Sequence, residues 1–327
     1  MKKILIIRFS SIGDIVLTTP VVRCLKEQLP DAEIHYLTKK QYIPILQSNP
    51  SITKIHLFKD NFQELIPKLK AEKFDHIIDL HKNLRSNYIR MKLGRPASTF
   101  PKLNLQKWLI TNLHIDRLPP IHIVDRYFRA VEKLGVKNDR KGLDYFLLSS
   151  EAVNIPQRFP ELSSTFIAIA IGGKHQTKIF PARRLIELCD QLDLPVILLG
   201  GKEDMARGEK IAEESTGTVV NGCGILPLNE SASVIKQARL VISNDTGLMH
   251  IAAAMKKPII SLWGNTIPGF GMYPYLPEGQ EKLSTIVEVS RLSCRPCSKL
   301  GYNACPKGHF DCMEKININA ILDAAYP

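Results

Sequence analysis

The sequence predicts an α/β protein made of two doubly wound, Rossmann-like domains in tandem, and three observations predict it. Short apolar runs alternate with amphipathic stretches of helical length, the pattern of a parallel sheet covered on both faces. The alternation stops at an acidic, proline-containing stretch, SSEAVNIPQRFPELSS (residues 149–164), and then restarts. The 327 residues suffice for two domains that each bury a core.

In the first half, strands are predicted near 3–8, 33–38, 53–58 and 75–80, and helices near 14–28, 61–71 and 83–92. A longer helix is predicted over IVDRYFRAVEKLG, residues 123–135. Past the break, strands are predicted near 166–171, 195–199, 218–220, 240–243 and 258–262. The domains are accordingly placed at 1–155 and 156–315, followed by a closing segment, 316–327. Ligands of such sheets bind beyond the carboxyl ends of the strands, so two facing domains are expected to share one cleft.

A hydrophobic content of 44% and a charged content of 23% are those of a soluble globular protein. No apolar run approaches the roughly 20 residues that span a bilayer, and the apolar part of KKILIIR is too short for a secretory signal. A cytoplasmic protein is expected, in which the seven cysteines are reduced thiols or metal ligands rather than a disulfide framework. The net charge of +12 lies entirely in the first half: residues 1–150 hold 26 Lys+Arg against 14 Asp+Glu, and residues 151–327 hold 18 of each. Besides a solvated basic face, that asymmetry fits a domain that meets a polyanion, such as nucleic acid, an anionic membrane surface or a phosphorylated substrate.

The first strand runs into RFSSIGD, residues 8–14. Gly13 permits a tight turn or close approach by a ligand, and free N–H groups at the helix start favour an anion. Asp14 is either an ordinary helix cap or a carboxylate that takes a proton from a substrate hydroxyl; both hold if Ser10 or Ser11 caps instead. Further on, DLHKNLRS puts Lys82 and Arg85 after a strand end, where they could face an anionic acceptor, although a solvated surface helix carries the same charges.

Three loops of the second half are friendly to phosphate. IGGKHQTKIFP ends a strand with Gly172, Gly173, Lys174 and Lys178, and LLGGKED places Glu203 where a ribose hydroxyl or a helix dipole would use it. SNDTGLMH offers Asp245, Thr246 and Gly247 at a turn, with Leu248 and His250 in the helix that follows. A capped helix accounts for any one of these; three of them in one domain converge on a nucleotide. No G-x-G-x-x-G fingerprint is present. CRPCSKLGYNACPKGHFDCM brings Cys294, Cys297, Cys305 and Cys312 together as candidate ligands of a structural zinc ion, against the plainer reading of buried or free thiols.

ILIIRFSSIGDIVLTTPVVRCLK, DLHKNLRS, KIFP, LLGGKED, VISNDTGLMHIAAA and PIISLWGNTIP together resemble glycosyltransferase family 9, the lipopolysaccharide heptosyltransferase family, as a divergent member. The resemblance spans essentially the whole chain. It implies a GT-B architecture with an N-terminal acceptor domain, a C-terminal nucleotide-sugar domain and a last helix that packs back on the first domain. It implies inverting transfer, typically of heptose from ADP-heptose, to a phosphorylated, lipid-linked core oligosaccharide; no acidic D-x-D-type pair argues for a divalent ion on the diphosphate, so no cofactor is expected for catalysis. Asp14 takes the place of the general base, Lys178 that of the donor-phosphate lysine, and Glu203 with Asp245, Thr246, Gly247, Leu248 and His250 that of the donor site. Arg8, Ser10, Ser11, Gly13, Lys82 and Arg85 fall on the acceptor side.

Expected partners are a nucleotide-sugar donor, an anionic glycolipid acceptor and an anionic membrane surface on the inner face of the inner membrane, with no nucleic acid. Two alternatives stay open. One is a nucleotide-sugar epimerase on the same scaffold, and the other is a non-catalytic protein that binds a nucleotide sugar or a polyanion.

Overall fold

Isoleucine- and leucine-rich runs form the central strands of two separate parallel sheets in the computed structural model, which describes residues 2–162 and 165–326. Ser163 and Ser164, which close the predicted boundary stretch, lie outside the described residues, as do Met1 and Pro327. The chain divides into two units: Met1–Lys102 with Ile121–Phe146, and Leu103–Pro120 with Leu147–Pro327.

The first unit holds β1 (Lys3–Ile7), β2 (Glu33–Thr38), β3 (Lys54–Leu57), β4 (His76–Asp79) and β5 (Ala97–Thr99), in the order β3-β2-β1-β4-β5. All neighbours are parallel. The strand order reverses between β1 and β4, so the loops after these two strands diverge and leave a crevice at the carboxyl edge. Leu5, Ile7, Leu37, Phe58, Leu65, Phe74, Ile77 and Ile89 fill one core of this unit. The predicted helix 14–28 is two helices, Ile12–Val16 and Thr19–Gln28. Pro20 has no N–H to continue the ladder. Thr18 Oγ1 and Thr19 Oγ1 donate to the carbonyls of Ile15 and Val16 at 2.7 Å each, which holds the break. The predicted helix 123–135 ends at Phe128 (Ile123–Phe128), and a short 3₁₀ turn at Glu132–Leu134 follows.

The second unit holds β6 (Ile167–Ala170), β7 (Val196–Leu199), β8 (Val219–Asn221), β9 (Leu240–Asn244), β10 (Ile259–Trp263) and β11 (Ser284–Glu288), ordered β11-β10-β9-β6-β7-β8 and parallel throughout. Here the order reverses between β6 and β9. β5 and β11 were not anticipated: both are edge strands with mostly half-exposed residues, so neither shows a continuous apolar run.

Two stretches expected in the first domain fall in the second unit, Leu103–Pro120 and residues 147–155, because contacts in the fold and not position along the chain decide membership. Residues 147–155 belong to the second unit, where Val153 N–H donates to Ser233 Oγ at 2.9 Å and Asn229 donates to Glu151 at 2.6 Å. The closing segment carries a helix, Ile318–Ala325, that buries Ile318, Ile321 and Ala325 in the second unit's core with Leu262 and Val287. Each isoleucine so buried contributes about 1.5–3 kcal/mol. Among the described residues, no helix is long and apolar enough to cross a membrane.

Candidate functional site

In the first unit, β1 delivers its chain to the crevice as Arg8. Although almost fully buried, the Arg8 guanidinium is satisfied on every side. It donates to Ser10 O at 2.7 Å, Leu80 O at 2.6 Å and Tyr127 Oη at 3.1 Å, and its Nη2 lies 2.5 Å from Asp14 Oδ1. Burial pulls the Arg8 pKa down, but Asp14 together with Tyr127 and Tyr36 outweighs it, so the net shift is upward and the guanidinium stays charged. Ser11 caps the helix Ile12–Val16. Its N–H and Oγ donate to Asp14 Oδ2 at 3.2 and 2.7 Å, which places Asp14 in the first turn rather than at the cap. Gly13 is buried within that helix and not left-handed, so the backbone there requires no glycine turn.

The loop after β4 completes the crevice. Fully buried Asp79 accepts from the N–H groups of His81 at 3.0 Å and Lys82 at 2.7 Å, and from Ser86 Oγ at 2.8 Å. These bonds hold Lys82 in a left-handed conformation at φ 50°, a conformation with a backbone cost that its surroundings must offset. Lys82 Nζ donates to Phe100 O at 2.9 Å, and Arg85 pairs with Asp60 at 2.8 Å on exposed surface. Burial, with Arg8 next, pushes the His81 pKa down to about 3, so its ring is neutral. Lys102, which no motif singled out, is also depressed by burial and by Arg8 and feels the charge of Asp79 and Asp14.

In the second unit, the loops after β6 and β9 meet at the reversal point. Lys178 Nζ lies 2.5 Å from Asp245 Oδ2, which also accepts from Thr266 Oγ1 at 3.0 Å. Asn244 ties the two loops together: its amide faces the carbonyls of Ala170, Ile171 and Gly172 at 3.2–3.4 Å, and its Oδ1 accepts from Phe180 N–H at 3.2 Å. Thr246 starts the helix Gly247–Ala254, with Leu248 half-buried and His250 buried inside it. Gly173 packs beside Thr246, whereas Lys174 and Glu203 are exposed. The next residue, Asp204, is the buried acid of the β7 loop: it accepts from Gly201 N–H at 2.9 Å and pairs with Arg207. A cavity of about 400 Å³ runs beside the lysine loop, lined by Thr177, Ile179, Phe180, Arg207, Ala304 and Phe310 among others, within the size range of small-molecule sites.

Two further groupings lie outside these loops. Cys294, Cys297, Cys305 and Cys312 line one small cavity together. Near β2 and β3, His35 Nδ1 and His56 Nε2 are 2.9 Å apart beside Glu72. Lys54 Nζ sits 2.6 Å from Glu72 and already supplies the positive charge there. Burial, with His35 next, drives the His56 pKa down to about 4, and burial also lowers His35, so the two rings form a neutral hydrogen-bonded pair.

Residues 62–302 match the model of glycosyltransferase family 9 (heptosyltransferase). The chain is 28% identical over 279 residues to lipopolysaccharide heptosyltransferase 3 of Escherichia coli, covering 78% of this chain and 81% of that protein. Its fold is similar to that of a family 9 glycosyl transferase from Veillonella parvula, with a TM-score of 0.79, 22% identity, and coverage of 99% and 96% of the two chains. It is also similar to that of the E. coli ADP-heptose lps heptosyltransferase II, with a TM-score of 0.73, 20% identity, and coverage of 99% and 97%.

Proposed function

The chain belongs to glycosyltransferase family 9, and from that premise we propose that it moves heptose from ADP-heptose onto the phosphorylated core of a lipopolysaccharide or related glycolipid, inverting the anomeric centre. The fold is GT-B and the protein is a glycosyltransferase, so the epimerase alternative is set aside. The donor and acceptor follow the relatives, one named a lipopolysaccharide heptosyltransferase and another an ADP-heptose heptosyltransferase.

Asp14 accepts the proton of the acceptor hydroxyl as that oxygen attacks the anomeric carbon opposite the diphosphate. An ordinary aspartate is a weak base, so positioning must supply much of the effect. The observation that carries the reading is the fixing of this carboxylate from two sides, by Arg8 at 2.5 Å and by Ser11 at 2.7 Å, at the crevice of the first sheet. As the glycosidic bond breaks, charge grows on the departing ADP. Lys178, Thr246 and the N–H groups beside Gly247 stabilise it, with Gly172, Gly173, Lys174, Glu203, Asp245, Leu248 and His250 shaping the donor site. Lys82, Arg85 and Lys102 draw the acceptor's phosphates, and the basic first half favours the anionic inner face of the inner membrane, where the protein works from the cytoplasm without insertion. No step uses a resident cofactor.

The test is Asp14→Asn with ADP-heptose and a delipidated core acceptor. Turnover should fall by about 10²–10⁴, with ADP binding retained. Near-normal turnover would leave Asp14 only its part in the helix cap.

A further inference from the structure

The helix Leu84–Leu93 is apolar on two opposite faces. Inward, Ser86, Ile89 and Leu93 are buried, the last two in the first unit's core. Outward, Leu84, Tyr88 and Met91 are 87%, 37% and 74% exposed, and their spacing of four and three residues aligns them in one stripe. Single exposed apolar side chains are ordinary on a protein surface, whereas a row of them on one helix marks a face that meets a partner. Phe62, half-buried at the start of the neighbouring helix Phe62–Ala71, meets the Tyr88 ring edge-on with centroids 4.8 Å apart and widens the stripe.

The charge around the stripe points to its partner. Residues 80–102 hold six Lys+Arg and no Asp or Glu. Lys92 Nζ lies over the Tyr88 ring at 5.5 Å, and exposed Arg95 follows the left-handed Gly94 that ends the helix. Arg85 stands in the first turn, where the helix dipole disfavours a cation, and pairs with exposed Asp60. Asp60 also pairs with Lys39, so at the helix start one acid serves two cations. Glu64, in the first turn of the neighbouring helix, is taken by Lys68. An apolar stripe edged by cations suits anionic lipid: its side chains enter the acyl boundary while the cations reach the headgroups.

We propose that Leu84, Tyr88 and Met91, edged by Lys92 and Arg95, rest on an anionic lipid surface, with the helix lying in the plane of the headgroups. Its ten residues make it about 15 Å long, too short to span a bilayer. A second copy of the chain suits the stripe less well, because a two-fold pairing sets the same cations against one another. The helix starts from the loop after β4 that carries His81 and Lys82, so docking by this face keeps the first unit's crevice beside the headgroups. Choosing lipid over another acidic partner rests on the lipid-linked acceptor of the proposed transfer; the stripe itself does not.

The experiment sediments the full chain, without donor or acceptor, with vesicles of phosphatidylcholine alone or with roughly one-third phosphatidylglycerol. Wild type should pellet with the anionic vesicles and not with the neutral ones, and less as salt rises. Leu84→Ser combined with Met91→Ser should weaken binding by about tenfold or more, and Lys92→Glu combined with Arg95→Glu by a similar factor. Ile286→Ser, at an exposed position of the second unit, should leave binding unchanged, with circular dichroism confirming that each variant is folded. The Leu84/Met91 variant should lose turnover with acceptor held in vesicles and keep it with delipidated acceptor. The proposal is overturned if wild type ignores anionic vesicles or binds neutral ones equally, if the Leu84/Met91 variant binds like wild type, or if it loses turnover equally with both acceptors. A wild-type dimer, seen by sedimentation equilibrium without lipid and dissociated by the same two substitutions, would also overturn it and give the stripe to a second copy. Vesicle binding is read without sugar transfer, so its absence and the absence of heptosyl transfer are separate results.

Discussion

Lys178 Nζ and Asp245 Oδ2 lie 2.5 Å apart in the second unit, where the loops after β6 and β9 meet. The lysine assigned to the departing phosphate is therefore paired with a carboxylate before donor arrives. A diphosphate must compete with Asp245, which Thr266 holds in place at 3.0 Å. Lys178→Ala should lower turnover by about 10²-fold or more, the usual loss for one donor to a developing anion. Asp245→Asn should cost less, and the double variant should be no worse than Lys178→Ala, because the two residues act as a unit. Additive losses in the rate of ADP release would mean that they act separately.

Arg8 makes a second fixed relationship. Its fork reaches Ser10 O, Leu80 O, Tyr127 Oη and Asp14 at once, which no ammonium can do. Arg8→Lys keeps the charge but abandons buried acceptors, so stability should fall by on the order of 2–4 kcal/mol, read from urea unfolding. Asp14 would lose its orientation, and turnover should drop by about 10- to 100-fold even where the protein remains folded. Wild-type turnover in Arg8→Lys would show that Ser11 alone positions the carboxylate.

What the sequence made legible is what lies close together along it. Arg8, Ser11 and Asp14 fall within one short turn after an apolar strand, and Asp245 to His250 within another, so strand and motif mark each other. Lys102 joins the first group only through tertiary folding, and Asp204 is told from Glu203 only by which of two adjacent acids turns inward. The last helix is legible as a helix but not in its placement: its apolar stripe fits any open sheet face, and only the fold shows Ile318 and Ile321 in the second unit's core. β5 and β11, at sheet edges, have too few buried positions to print a pattern.

Acid should destabilise the protein through its buried histidines. The His56 pKa falls from 6.5 to about 4 on folding, chiefly by burial, and His35 and His81 shift the same way. Between these values the unfolded chain binds a proton that the native ring refuses. Stability is thus fully present above pH 6.5 and falls as pH drops toward 4. The slope is up to about 1.4 kcal/mol per pH unit for each such histidine. His56→Gln should remove one proton from that slope. Urea midpoints at neutral and mildly acidic pH measure it, and an unchanged difference between the two would exclude His56 as a contributor.

Gly172 tests how tightly the donor loop is packed. A Cβ there would lie 2.4 Å from Asp204 Oδ2, and Asp204 cannot simply swing away, because Gly201 N–H holds it at 2.9 Å and Arg207 pairs with it. Gly172→Ala should therefore displace Asp204 or the loop that leads to Lys178, at about 1–3 kcal/mol of stability and with weaker ADP binding. Asp204→Ala removes the obstructing carboxylate, so adding Gly172→Ala to it should cost almost nothing further. Calorimetric ADP affinities and unfolding midpoints of the two single variants and the double variant decide the matter. Full additivity would mean that the close contact is not what requires glycine at 172.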